Sequence, residues 1–387
     1  MTQKWVKPSY TLGFSVMSKK GAFVKGSVHY EVRGASALLS IDNPPVNPLS
    51  SGVRQGLFDG MTQALGDEDI KTIVVTGLNR AFIAGADISE FGAAASEGAG
   101  LNQVLDLMES STKPVIAAIN GTAFGGGLEV ALCCDYRVAL ATAPLGLPEV
   151  KLGLLPGAGG TQRLPRLIGA EAAIPMIISG NPVPAPAALK LGIVDQVVTD
   201  NVVEAALGFA ADLVAQGSPT RKIRDLSDKV LADRKQPDLF TKAAANLDKT
   251  HRGQFAPAQI LKCIEAAVTL DDFEAGMAVE RTCFAACLGD PQREALIHIF
   301  FAERAANKIP GLSKDTPLID VQKAAVIGAG TMGGGIAMCF ANAGIAVQVH
   351  DNDPEGLKRG LKVIEGNYAR TVAKGRLSQA AMDQRMA

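Results

Sequence analysis

From Ser27 onward, short apolar runs of strand length alternate with stretches of helical periodicity. Ala37 to Ile41 is an apolar run ended by Asn43-Pro44-Pro45, Leu49 to Leu65 has the spacing of a helix, and Lys71 to Thr76 is rich in β-branched residues. The order predicts a strand, a helix and a second strand. Val115 to Ile119 and Val138 to Ala141 predict further strands, with a helical stretch from Gly126 to Cys134 between them. The first 200 residues thus read as successive ββα-type units around one core. Pro182, Pro184 and Pro186 punctuate a second ordered segment, Gly180 to Asp200, and Val202 to Ala306 is mostly helical. Its last helix, from Pro291, carries apolar positions Ala295, Ile299, Ala302 and Ala306 at helical spacing. Ile309-Pro310-Gly311 stops it, residues 312–321 read as a linker, and a new strand, turn and helix begin at Lys323.

The expected division is a tail over residues 1–26, a first domain over 27–290, a linker helix and linker over 291–320, and a last domain over 321–387. Lys4, Lys7, Lys19, Lys20 and Lys25 lie in the tail, with no acidic residue before Glu31, and its one apolar patch, Leu12 to Met17, is too short and broken for a signal-peptide core. A transit peptide would be Arg-rich, whereas no Arg precedes Arg33. A disordered, dispensable tail is the expectation, with Met17 as an alternative start of translation.

Composition narrows the class. At 387 residues the chain has room for two or three domains and a sizeable core. With 38 basic against 39 acidic side chains, no broad electrostatic footprint for nucleic acid or an anionic membrane exists, and the expected partner is a small molecule. The longest apolar runs fall far short of the ~20 residues of a membrane span. The six cysteines sit inside apolar stretches without disulfide or zinc spacing, so they read as reduced core residues and no metal site is expected. His29, His251, His298 and His350 share no spacing with a nucleophile or a metal-ligand partner.

Gly125, Gly126 and Gly127 precede Leu128-Glu129 and an apolar helix. The first amides of a helix have no intrahelical acceptor, so such a turn can present N–H groups to a negatively charged oxygen, with Glu129 on the same face as Gly126. A second loop, Ala84-Gly85-Ala86-Asp87, follows a strand and can offer another amide. Two donors of this kind form an oxyanion hole, in which removing one typically costs about 3 kcal/mol of transition-state stabilisation. A glycine run alone can equally serve to pack a helix against a strand. The stronger signal is the joint order of these two loops with Pro148-Glu149 and then Leu154-Leu155-Pro156-Gly157-Ala158-Gly159-Gly160-Thr161-Gln162-Arg163-Leu164.

With those segments the sequence resembles the crotonase superfamily over roughly Ser27 to Val203. The resemblance implies an α/β fold, a crotonase-type spiral of ββα units, in which the amides of Ala84 and Gly126 hold the thioester oxygen of an acyl-CoA. It also implies that Glu129 and Glu149 act as paired acid and base in adding water to a trans-2-enoyl-CoA. The substrate would carry coenzyme A. An isomerase that moves the double bond, or a catalytically silent acyl-CoA-binding module, are the alternatives.

The second motif is Val326-Ile327-Gly328-Ala329-Gly330-Thr331-Met332-Gly333, after a predicted strand and at the start of a helix, with Asp351 ending the next strand. In this context Gly328 allows a tight turn, Gly330 lets backbone approach a pyrophosphate, Gly333 permits close helix packing and Asp351 accepts from a ribose hydroxyl, which favours NAD. The two parts together resemble bifunctional β-oxidation enzymes of the peroxisomal type and their bacterial relatives, a hydratase/isomerase followed by a helical linker and a 3-hydroxyacyl-CoA dehydrogenase. Asn43-Pro44-Pro45-Val46-Asn47 and Ala302-Glu303-Arg304 look like segments of that group. The residues after Asp351 cover only the start of a Rossmann fold, so weak NAD binding and no dehydrogenation are expected of this chain. The resemblance implies a peroxisomal location in a eukaryote and a cytoplasmic one in a bacterium, and leaves the oligomeric state open.

Overall fold

The computed structural model describes residues 16–17, 23–24, 26–87, 98–306, 308–313 and 315–387. The expected disordered tail lies mostly outside the described residues; within it Val16–Met17 and Phe23–Val24 form a two-stranded antiparallel pair. The chain divides into two compact units, residues 1–307 and 308–387.

In the first unit two sheets share one construction. A six-stranded sheet runs in the order Gln196–Val198, Tyr136–Leu140, Val115–Ile119, Thr72–Gly77, Ser36–Asp42, Ser27–Arg33, parallel except for the last pair. A four-stranded sheet runs Val183–Pro184, Pro144–Gly146, Thr122–Phe124, Ala81–Ile83. Each ββα unit therefore gives one strand to each sheet: Thr72–Gly77 leads to Ala81–Ile83, Val115–Ile119 to Thr122–Phe124, and Tyr136–Leu140 to Pro144–Gly146.

Side-chain alternation decides which layer covers which face. Val115, Ala117 and Ile119 point into the large core between the sheets and the inner helices, whereas Ile116 and Ala118 point the other way. That outer face is closed by the helix Val202–Ala215, whose Val202, Ala206, Ala210 and Leu213 recur at helical spacing and are all buried. The helix Gly126–Cys133 has no polar stripe and is buried on every side, as its apolar sequence requires.

The helix Pro291–Ala306, expected as a linker, belongs to the first unit. Its expected apolar stripe is not its inner face. Ile299 is 52% exposed, while Phe300 and Arg304, one helical turn apart, turn onto the cavity described below. Spacing places residues on a common face but does not say which face meets protein.

In the second unit the strands Lys323–Ile327 and Ala346–His350 pair in parallel, bracketing the helix Thr331–Asn342, with the helices Pro354–Ala373 and Gln379–Met386 after them. Five cysteines are buried as expected, but Cys339, in this smaller unit, is exposed. No helix among the described residues is long and apolar enough to cross a membrane.

Candidate active site

Three neighbouring strands of the smaller sheet, Ala81–Ile83, Thr122–Phe124 and Pro144–Gly146, run parallel and in close register, Gly146 opposite Phe124 and both Ile83 and Leu145 opposite Ala123. Their C-terminal ends therefore lie along one edge, where open α/β sheets commonly place ligands. Off that edge come the loop Ala84 to Ala86, the turn Gly125-Gly126 into its helix, and Pro148-Glu149. All three line one cavity of about 670 Å³ whose wall is mainly apolar, shared with Leu154, Leu155 and Phe284.

The glycine turn is fixed by sterics. Gly125 has φ +54°, and a β-carbon there would lie 2.8 Å from Oε1 of Glu149. A β-carbon on Gly127 would lie 2.2 Å from the carbonyl oxygen of Ile83, so only glycine lets the helix pack against that strand. The Gly125 N–H donates to the Gly146 carbonyl at 2.9 Å, tying the turn to the neighbouring strand.

Glu129, on the first turn of the helix, is buried and accepts from the amides of Ala158 and Gly160, both onto Oε1, at 2.8 and 2.9 Å. Burial raises its carboxyl above the ordinary range, opposed first by those amides and then by the Arg163 charge. Glu149 opens the short 3₁₀ turn Glu149–Leu152. Burial first, and the Glu129 charge second, push its carboxyl well above the ordinary range. Its Oε2 is buried without a hydrogen-bond partner among the described residues. The structure thus brings Glu129, Glu149 and Gly126 together on one cavity.

The Ala84 expectation needs a correction. Ala84 lines the cavity, but its N–H donates to the Val46 carbonyl at 3.1 Å, so it is committed to holding its own loop. The amide nitrogen of Ala86 is the one that faces the glycine turn, 3.8 Å from where a β-carbon on Gly126 would sit. Only Gly85 separates them; plain extended backbone would point both amides the same way, but Gly85 has φ +112° and breaks that alternation, so the small-residue run alone did not say which N–H is available.

Sequence reasoning missed Glu280, Phe284, Phe300 and Arg304. Glu280 belongs to the helix Phe273–Gly289 and is fully buried, on the face shared with Phe273, Met277, Cys283 and Cys287. A charged residue at a core position of an apolar helical stripe was the available signal. Phe300 and Arg304 stack on each other at the cavity wall, the guanidinium carbon 3.6 Å from the ring centre.

In the second unit Gly328 has φ +98°, and a β-carbon on Gly333 would lie 1.8 Å from the Gly328 carbonyl oxygen, which explains both glycines. A β-carbon on Gly330 would meet nothing within 4 Å, so the backbone at the start of the helix Thr331–Asn342 faces open space. Asp351 already accepts from the amides of Ala329 (2.7 Å) and Asp353 (2.9 Å), which hold its carboxyl below the ordinary range.

Residues 31–264 match the enoyl-CoA hydratase/isomerase family, and residues 323–387 match the NAD-binding domain of 3-hydroxyacyl-CoA dehydrogenase. The peroxisomal bifunctional enzyme of Cavia porcellus is 42% identical over 88% of this chain and 47% of its own length. The chain spans about half the length of the curated relatives it matches. Among solved structures, a carnitinyl-CoA hydratase from Mycobacterium avium is 27% identical with a TM-score of 0.51, covering 72% of this chain and 96% of that one. An enoyl-CoA hydratase/isomerase from Pseudoalteromonas atlantica, 21% identical, covers 74% of this chain and all of that one with a TM-score of 0.53, a likeness of fold.

Proposed function

The chain belongs to the enoyl-CoA hydratase/isomerase family, and from that premise we propose that its first unit adds water across the double bond of a trans-2-enoyl-CoA, giving a 3-hydroxyacyl-CoA. The observation that carries the reading is the meeting of the buried Glu129 with the half-buried Glu149, whose Oε2 is itself shielded from solvent, on one apolar cavity beside a helix-starting glycine turn. Neighbouring acids pushed apart in proton affinity take opposite roles. Glu129, with two amides on Oε1, is better held as the carboxylate and acts as the base on water. Glu149, raised further and without a partner on Oε2, keeps its proton and acts as the acid.

As Glu129 removes a proton from water, the oxygen bonds to the β-carbon and the electron pair moves to the thioester oxygen. The amides of Gly126 and Ala86 are the donors for that oxyanion. Glu149 then delivers its proton to the α-carbon, and exchange with solvent restores both groups. The apolar wall of Leu154, Leu155 and Phe284 suits an acyl chain.

The second unit is proposed to hold NAD through the turn Gly328 to Gly333, with Asp351 at the ribose side. Bound there, NAD supplies a hydride acceptor. The name of the Cavia porcellus relative supports a peroxisomal location for a eukaryotic chain.

The test is loss of the conjugated enoyl-thioester absorbance, run with E129Q and E149Q. Each variant is expected to lower turnover at least about a hundredfold with little change in acyl-CoA binding. Near-normal turnover in either removes that residue from the mechanism, and conversion of 3-enoyl substrates without hydration would favour isomerisation.

A further inference from the structure

Outside the cavity, a third carboxyl meets the loop that holds Glu129. Alternate amides of this loop serve two acids. Those of Ala158 and Gly160 point to Glu129, whereas those of Gly159 (2.7 Å) and Thr161 (3.2 Å) point to Glu280, which also pairs closely with the Thr161 hydroxyl. Glu280 is fully buried and does not line the cavity. We propose that Glu280 is a positioning residue for the hydration reaction: by gripping the Gly159 and Thr161 amides it aims the intervening amides at Glu129 and fixes that carboxylate toward the substrate.

The surroundings are built for the grip. Gly159 has φ +93°, which turns successive amides to opposite sides. Arg163 holds the same loop from its carbonyl side, Nη1 donating to the Ala158 oxygen at 2.8 Å, and is itself anchored by Glu109. Gln162 donates to the Thr161 hydroxyl and to the Cys263 carbonyl. A β-carbon on Gly276, one turn before Glu280, would lie 2.2 Å from Oε1 of Gln162, so a larger residue there would have to displace that side chain. One turn after Glu280, Phe284 lies against Gly157 and forms part of the cavity wall. A single helix thus supplies both the grip and a piece of the binding surface.

The proposal rests on the hydratase reading, and a double-mutant cycle separates the two. E280M, which keeps the volume but removes both acceptors, is expected to lower kcat about tenfold with KM within about twofold. E280Q, which restores an acceptor toward Gly159, stays within about threefold of wild type. In an E129Q background E280M adds less than about threefold, because Glu280 acts only through Glu129. T161V, which deletes the hydroxyl and conserves shape, lowers kcat a fewfold and is read in the same cycle if E280M does not fold. Absence of hydration by wild type, or full activity in E129Q, would overturn the hydratase reading itself. With those intact, losses that multiply in the cycle, an unchanged kcat in E280M, or E280Q as impaired as E280M would overturn the role of Glu280.

Discussion

A β-carbon on Gly125 would lie 2.8 Å from Oε1 of Glu149, so the turn that starts one helix and the carboxyl at the start of the 3₁₀ turn after Pro144–Gly146 are built against each other. Gly125→Ala must therefore displace Glu149 or the turn, and its φ of +54° adds backbone strain of about 1–3 kcal/mol. The expected outcome is at least a tenfold fall in kcat and a lower melting midpoint. Initial rates and thermal melting check it; wild-type values in both would contradict the packing described.

The pH dependence of hydration follows from the two acids. Burial and the Glu129 charge raise Glu149 well above the ordinary carboxyl range, and a proton donor fails once ionised. The alkaline limb of kcat/KM is expected above the ordinary carboxylate range, and the two limbs belong to the coupled pair rather than to either acid alone. In E149Q the residual activity should lack the alkaline limb. An unchanged limb in that variant would assign it to another group.

Glu280 makes stability pH-dependent. Burial first, and the Glu129 charge second, push its carboxyl up to about 8, whereas an unfolded glutamate ionises near ~4.3. Between those values the folded chain keeps a proton that the unfolded chain releases, so stability falls as pH rises through the window. E280Q cannot ionise. Its stability relative to wild type should therefore rise with pH across the window, by about 1.4 kcal/mol per unit at most, in urea unfolding at pH 5, 6.5 and 8. A constant difference across the three would contradict the shift.

Arg163 and Glu109 form a buried bidentate pair at 2.8 and 2.7 Å, each side chain 3% exposed. Glu109→Gln leaves the guanidinium with less counter-charge in the interior, and loss of one partner of such a pair costs about 3–5 kcal/mol. Because Arg163 also holds the Ala158 carbonyl, kcat should fall with stability. Chemical denaturation beside the hydration assay tests both; an unfolding free energy equal to wild type would show the pair to be dispensable.

The sequence by itself determined most of the elements and pointed to most of the candidate site residues. Strand length and β-branching marked Val115–Ile119 at its observed bounds, and the glycine turns and the two glutamates were legible because local backbone sterics demand glycine and because the motif order is linear in the chain. Tertiary structure decided what depends on neighbours distant in sequence. Which amide beside Gly126 is available turned on Val46, 38 residues before Ala84, accepting from the Ala84 N–H. Which face of Pro291–Ala306 meets the cavity turned on the packing that leaves Ile299 exposed and Phe300 inward. Glu280 lies 119 residues from the Thr161 hydroxyl it meets, so no local pattern relates them. A periodic pattern encodes a direction relative to the residue's own element, whereas burial and hydrogen-bond competition are settled only when the elements come together.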